Sequence, residues 1–344
     1  MDLPHLTRPG IVVPARVDPT GRLGPTRAQA RGRRWRQVAP WYHVPAETDS
    51  ERTDQRIVEA IAPLPPGSAA TGWAALHWLG ARWFDGTDAD GRHLDVQAAL
   101  GHQHTARYRP GVDLTEDWLF DDDVIWVDGL PITVPLRSVS YLARWAPTDL
   151  VATRNVDMAA YDDLVTLDRL AAYGVRLGSR PGIRRFRRAI AAADENTWSP
   201  MEVSARFTWH GAFPGRSLSC NRPVFDLAGN HLFTPDLLDV EAGVAGEYNG
   251  TDHGDDERRR QDLVRDDVAR RHGIEVVTTM AGPRERERFL HRLRGAYGRA
   301  ATRTGPRTWT IEQPDGWVDT STVASRLALT PYQRDRWLRY RRHT

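Results

Sequence analysis

Between Ser199 and Ala300 the chain sets out an order of elements that narrows the fold more than any other part of it. In "SPMEVSARFTWHGAF" Ser199 is a good N-cap and Pro200 suits the first helical position, which predicts a helix with Glu202 in its first turn. "RPVFD", "HLFTPDLLD" and "VAGEY" then read as short strands, separated by turn residues at Ala228-Gly229-Asn230 and Ala242-Gly243. Tight turns between consecutive strands predict an antiparallel meander. "DDERRRQDLVRDDVARRHG" reads as a helix. Its acids Asp255, Asp256 and Glu257 lie at the start, Arg270, Arg271 and His272 at the end, and Gly273 stops it. "IEVVTT" is a fourth strand and "PRERERFLHRLRGAYGRA" a further helix, so the predicted order is αβββαβα.

Two acids sit awkwardly in this pattern. In "TPDLLDVEAGVAGEYNGTDH", Asp236 opens one apolar stretch and Glu247 closes the next. An ionised carboxylate is costly to desolvate unless it is paired, hydrogen-bonded or bound to a metal. The element order resembles the core of the PD-(D/E)XK nucleases, whose motif brings a carboxylate at a strand bend and another one strand across to one divalent ion. Pro235 before Asp236 helps make such a bend by removing an amide and restricting its neighbour. The resemblance implies Asp236 and Glu247 as ligands, and hard oxygen donors with room for water and phosphate suit Mg²⁺. Glu202 is placed to be a third acid. His253 is expected as a general base or phosphate donor, and Arg265 as a group that offsets transition-state charge.

Within that superfamily, residues 199–280 resemble a Vsr-like endonuclease domain of unknown function, through "SPMEVSARF", "TPDLLD", "GEYNGTDH", the helix with Asp262, Arg265 and Asp266, and "GIEVVTT". Asn249 stands where that family usually has Asp and the superfamily has lysine, and it is carried over as a site residue. The family's arginine in the last strand is absent from "EVVTT".

The first half has a different character. From Arg16 to Arg36 there are seven arginines against Asp18 alone, and "RDRWLRYRRHT" makes the other end basic too. Basic ends on a chain of net charge +2 suggest a polyanion partner, nucleic acid before membrane, or else a solubilising basic face. "TRAQARGRRWRQ" (Thr26–Gln37) predicts a short basic helix capped by Thr26, and "QVAPWYHVPA" a strand or ribbon; together they suggest a degenerate winged helix. Arg31, Arg33, Arg34 and Arg36 are its expected phosphate contacts. Helices are predicted from Asp49 or Ser50 and over Thr71–Phe84, a turn at Asp128-Gly129, and a helix from Pro135. Helical pieces follow over 156–192, broken near "GSRPG". "RRWRQVAPWYHVPA", "SAATGWAALHWLG", "VDGLPITVPLRSVSYLARW" and "VDMAAYDDLVTLDRLAAY" resemble the N-terminal region of abortive-infection (AbiEi-type) antitoxins. That resemblance implies a DNA-binding or regulatory first half linked to phage defence or to a type IV toxin–antitoxin system.

The expected fold class is therefore α+β or α/β. A basic winged-helix-like segment spans 1–60, a mixed AbiEi-like region 61–192, a restriction-endonuclease-like αβββαβα domain 195–300, and a basic extension 306–344. No apolar run approaches a membrane span, and the start lacks the basic and apolar regions of a signal peptide. The single Cys220 cannot form an internal disulfide, which fits a reducing cytoplasm. All 47 basic side chains are arginine, so no mechanism here can use a lysine. The function expected is a Mg²⁺-dependent DNA endonuclease. The second reading is a DNA-binding regulator or antitoxin with a silent nuclease site.

Overall fold

The computed structural model describes residues 3, 6–101, 106–249, 265–280, 282 and 284–342. The chain is mixed α+β and divides into two compact units. One takes residues up to Ala146 together with Arg169–Arg187; the other takes Pro147–Asp168 and the chain from Arg188. No helix among the described residues is long and apolar enough to cross a membrane.

The first unit holds a five-stranded and a three-stranded sheet. In the larger, Val124–Val127 and Leu130–Thr133 form the hairpin expected at Asp128-Gly129. Both turn residues have positive φ, 51° and 81°, as a tight two-residue hairpin turn demands. Pro135–Trp145 is helical, as its proline suggests. Three local expectations are corrected. The basic helix expected over Thr26–Gln37 is one turn, Arg27–Ala30, because Trp35–Ala39 pairs instead as a strand with Tyr42–Pro45. The helix expected from Asp49 or Ser50 begins at Thr53, and Asp49 caps a local turn instead. The helix expected over Thr71–Phe84 ends at Trp78, followed by Gly80 at φ 86°.

The second unit is built on a four-stranded sheet in the order Glu275–Met280, Val244–Asn249, Leu237–Asp239, Ser219–Cys220. Val244–Asn249 runs parallel to Glu275–Met280 and antiparallel to Leu237–Asp239. Helix Pro200–Ala212 starts at the Ser199 cap, whose side chain accepts the Glu202 amide. Residues 265–271 are helical and Gly273 (φ 79°) follows them. The helix Glu285–Ala301 follows the last strand.

The meander is corrected. "HLFTPDLLD" is not one strand. His231–Phe233 joins Val224–Asp226 and Trp309–Thr310 in a separate three-stranded sheet, and only Leu237–Asp239 enters the four-stranded one. Pro235 lies at the break, where its missing amide would interrupt a continuous ladder. The C-terminal residues are more than a basic extension. Trp309–Thr310 supplies a strand, and buried Arg326 bonds Asp163 and the Ala160 carbonyl.

Strand alternation puts the two faces of the four-stranded sheet into different cores. Leu237, Val244 and Val277 pack with Trp209, Phe289 and Leu293. Leu238 and Ala245 pack with Ala269, Ile274, Phe233 and Trp309. Gly246 is what lets the first core close. A Cβ there would lie 2.7 Å from the ring of Trp209, which is fully buried and donates to the Tyr297 hydroxyl. Gly246→Ala is expected to destabilise the fold by about 1–3 kcal/mol, the usual cost of overpacking. Urea denaturation measures this, and an unchanged midpoint would contradict the packing described.

Candidate active site

The hairpin register sets up the site. Leu237 pairs with Gly246. One step beyond that pair come Asp236, at the bend before its strand, and Glu247, on the face of its own strand that Ala245 also lines. Alternation assigns that face to Leu238 and Ala245, the side packed by Ala269 of the helical residues 265–271. Arg265 is one helical repeat before Ala269 and so on the same side. Its Nη1 lies 3.4 Å from Glu247 Oε2.

Each acid is held by the chain. The Tyr248 amide donates to Asp236 Oδ2 at 2.6 Å. Glu202 comes from the first turn of helix Pro200–Ala212, where its carboxylate Oε2 accepts from the Trp198 amide (2.9 Å) and Asn221 Nδ2 (2.7 Å). Asn221 also donates its amide to the Asp236 carbonyl. Asn196 and Asn221 exchange side-chain bonds with each other's backbone. Glu202 and Glu247 are 6% and 5% exposed.

Burial sets the electrostatics. It raises the Glu202 carboxyl to about 8, helped by repulsion from Asp236 and opposed by its hydrogen bonds. Burial also raises Asp236, while the Tyr248 amide and then the Arg265 charge pull it back. The two carboxyls titrate as a pair. Both hold protons more tightly folded than unfolded. Their contribution to stability is therefore favourable at low pH and is lost as pH rises from the ordinary carboxylate range to about 8. Thermal melts in a chelator are expected to show this fall, and Glu202→Gln is expected to flatten it. Identical pH slopes for both proteins would refute the assignment.

Asp236 thus interacts electrostatically with Glu202 and with Arg265, and Arg265 in turn lies against Glu247. Asn249 is half-buried at the end of the strand, on the Glu247 side by alternation. His253 and Asp262 lie outside the described residues. Asp239 ends the strand Leu237–Asp239, where it accepts the Ala242 amide and the Tyr297 hydroxyl. Among the described residues, no three His, Cys, Asp or Glu side chains are gathered as a metal cluster. A cleft of about 680 Å³ in the same unit is lined by Asp194, Asn196, Ser219 and Arg222 and contains none of the four site residues.

Arg31, Arg33 and Arg34 are exposed. Arg36 is not free for a phosphate in the same way, because Glu59 holds it bidentately at 2.8 and 2.9 Å. Asn221, Asn196 and the Tyr248 amide escape the sequence reading. The one signal for Asn221 is its place before Arg222-Pro223, where Asn tolerates the positive φ (46°) it adopts. Comparison of the chain with family models, with curated proteins and with solved structures finds no match.

Proposed function

We propose that this protein is a Mg²⁺-dependent DNA endonuclease, with a restriction-endonuclease-like fold around the four-stranded sheet and a DNA-binding first unit built on a degenerate winged-helix-like ribbon. The observation that carries this reading is a linked set of charged groups beside one end of that sheet, in which Asp236 interacts with Glu202 and with Arg265, and Arg265 lies against Glu247. Glu202 and Asp236 are buried and repel each other, and a cation beside Asp236 would relieve that repulsion. Mg²⁺ is commonly bound through one or two carboxylates, with water and substrate phosphate completing its shell. Asp236 and Glu247 fit that donor set and would hold the ion, with Glu202 behind. When bound, Mg²⁺ polarises the scissile phosphate and lowers the pKa of water.

The chain's own groups do the rest. The Tyr248 amide fixes the Asp236 carboxylate. Asn221 and the Trp198 amide orient Glu202, whose raised pKa lets it keep a proton near neutrality and release it locally. Arg265 offsets negative charge beside Glu247. Asn249 can bond a phosphate oxygen through its amide, without lysine's charge. His253 remains the expected general base or phosphate donor. Arg31, Arg33 and Arg34 would contact phosphates and so position DNA.

The test is plasmid nicking by the full chain in Mg²⁺, with chelator and Glu247→Gln as controls. Nicking that both controls remove supports the reading; none under any divalent ion overturns it. The Arg265–Glu247 pair also favours a second reading, in which Arg265 takes the place of the ion and the protein is a DNA-binding regulator. Salt-sensitive DNA binding without cleavage would mark that outcome.

A further inference from the structure

The hairpin of Trp35–Ala39 and Tyr42–Pro45 turns through Pro40-Trp41. Proline holds its own φ near −65°, and Trp41 has φ 71°. That is the φ pattern of a type II turn, whose third position calls for Gly or Asn. A bulky residue with positive φ is a genuine outlier, and such outliers gather at functional sites. Trp41 gains no core packing in return, since it is 54% exposed. Its carbonyl accepts the Val17 amide, which ties the tip to the chain just after Ala15–Arg16, the third strand of this sheet.

The surroundings are cationic. Arg27 lies over the Trp41 ring, 5.5 Å from its centroid. Arg16 pairs in register with Tyr42 beside the tip. Arg22 and Arg31 flank Arg27 in sequence, and Arg33 and Arg34 lie at the base of the hairpin, about 20 Å away at strand spacing. All six of these arginines are exposed and have no acidic partner among the described residues. The one acid in the stretch, Asp18, is occupied with the Leu23, Thr20 and Arg22 amides and the Thr20 hydroxyl.

We infer that Trp41 is an apolar wedge that inserts at a base step of duplex DNA, with the surrounding arginines on the flanking phosphates. The charge selects a polyanion, and the rigid aromatic tip selects one with stacked bases to open. Insertion of an apolar side chain between bases unstacks and kinks the duplex. The arginines supply affinity through counterion release and Trp41 supplies contact with bases, so the two contributions separate by salt dependence. The inference rests on DNA as the partner but not on cleavage.

The experiment measures binding of the full chain to a short duplex with a fluorescent base analogue at one step, in chelator, over a range of salt. Trp41→Gly suits the turn's backbone and is expected to leave the melting temperature unchanged or higher. It is expected to weaken binding about tenfold or more, with the salt slope intact and the base-unstacking signal gone at saturation. Trp41→Asn, also compatible with positive φ, is expected to match it. Arg33→Gln and Arg34→Gln are expected to reduce the salt slope by about one each while the unstacking signal stays. Binding and unstacking by Trp41→Gly equal to those of the parent would overturn the wedge alone. A parent chain that binds no duplex even at low salt would overturn the wedge and the DNA reading together.

Discussion

Asp236→Asn is expected to reduce Mg²⁺-dependent DNA cleavage by about a thousandfold and, near pH 8, to raise the melting temperature of the metal-free protein. The first effect follows from the charge a bound ion supplies. Such an ion stabilises a transition state by several kcal/mol, and each tenfold in rate is worth about 1.4 kcal/mol. The second follows from burial. Asp236 is raised by desolvation, and its charge repels Glu202. Asn keeps the shape, and its carbonyl can still accept the Tyr248 amide that Asp236 Oδ2 accepts now. It removes the repulsion and lets Glu202 titrate closer to its ordinary range. Opposite signs for activity and stability separate a functional acid from a structural one. Plasmid nicking and thermal melts on the same preparation measure both. An Asp236→Asn protein that cuts at the parent's rate would contradict the assignment, and one that melts lower at pH 8 would contradict the electrostatic account.

Arg206→Met is expected to cost about 3–5 kcal/mol, the usual penalty for leaving one partner of a buried ion pair alone. Arg206 Nη2 donates to Asp157 Oδ2 at 2.5 Å, and both side chains are buried. Arg206 Nη1 also reaches the Thr197 hydroxyl and Cys220 Sγ. Burial raises Asp157 to about 6 even with the guanidinium beside it. Without Arg206 its carboxyl rises further. The destabilisation should therefore be largest above about pH 6 and shrink as pH falls and Asp157 takes up a proton. Asp157→Asn in the same chain should restore part of the loss. Arg206 is one helical repeat after Glu202, so the pair also pins the helix that presents Glu202. Urea denaturation at two pH values decides the matter; a cost below about 1 kcal/mol at both would mean the pair contributes no more than an exposed one.

What the sequence revealed was mostly local. Ser199-Pro200 and Asp128-Gly129 obey rules that act within a few residues, and both elements stand where those rules put them. The break in "HLFTPDLLD" depends on a strand at Trp309–Thr310, far along the chain, which no local pattern announces. The one-turn helix at Arg27–Ala30 has a nearer cause: hairpin pairing of Trp35–Ala39 with Tyr42–Pro45 overrides a fair helical pattern. Within the site, Asp236 and Glu247 were legible because one hairpin carries both. Asn221 was not, since an asparagine acquires its role only once Glu202 has been folded against it. The Tyr248 contact is invisible for a different reason: it is made by a backbone amide, which every residue but proline has. Arg36 looked like its neighbours until Glu59, on the helix Thr53–Ile61, was found to hold it.

The central claim is that Asp236 and Glu247 hold one divalent ion. Calorimetric titration of the full chain with Mg²⁺ at a pH near 8, where Asp236 has given up its proton and Glu202 is near its midpoint, tests it most directly. The account predicts saturable binding in the parent protein, lost in both Asp236→Asn and Glu247→Gln. No binding by the parent at millimolar Mg²⁺, or binding that both substitutions leave intact, would contradict it.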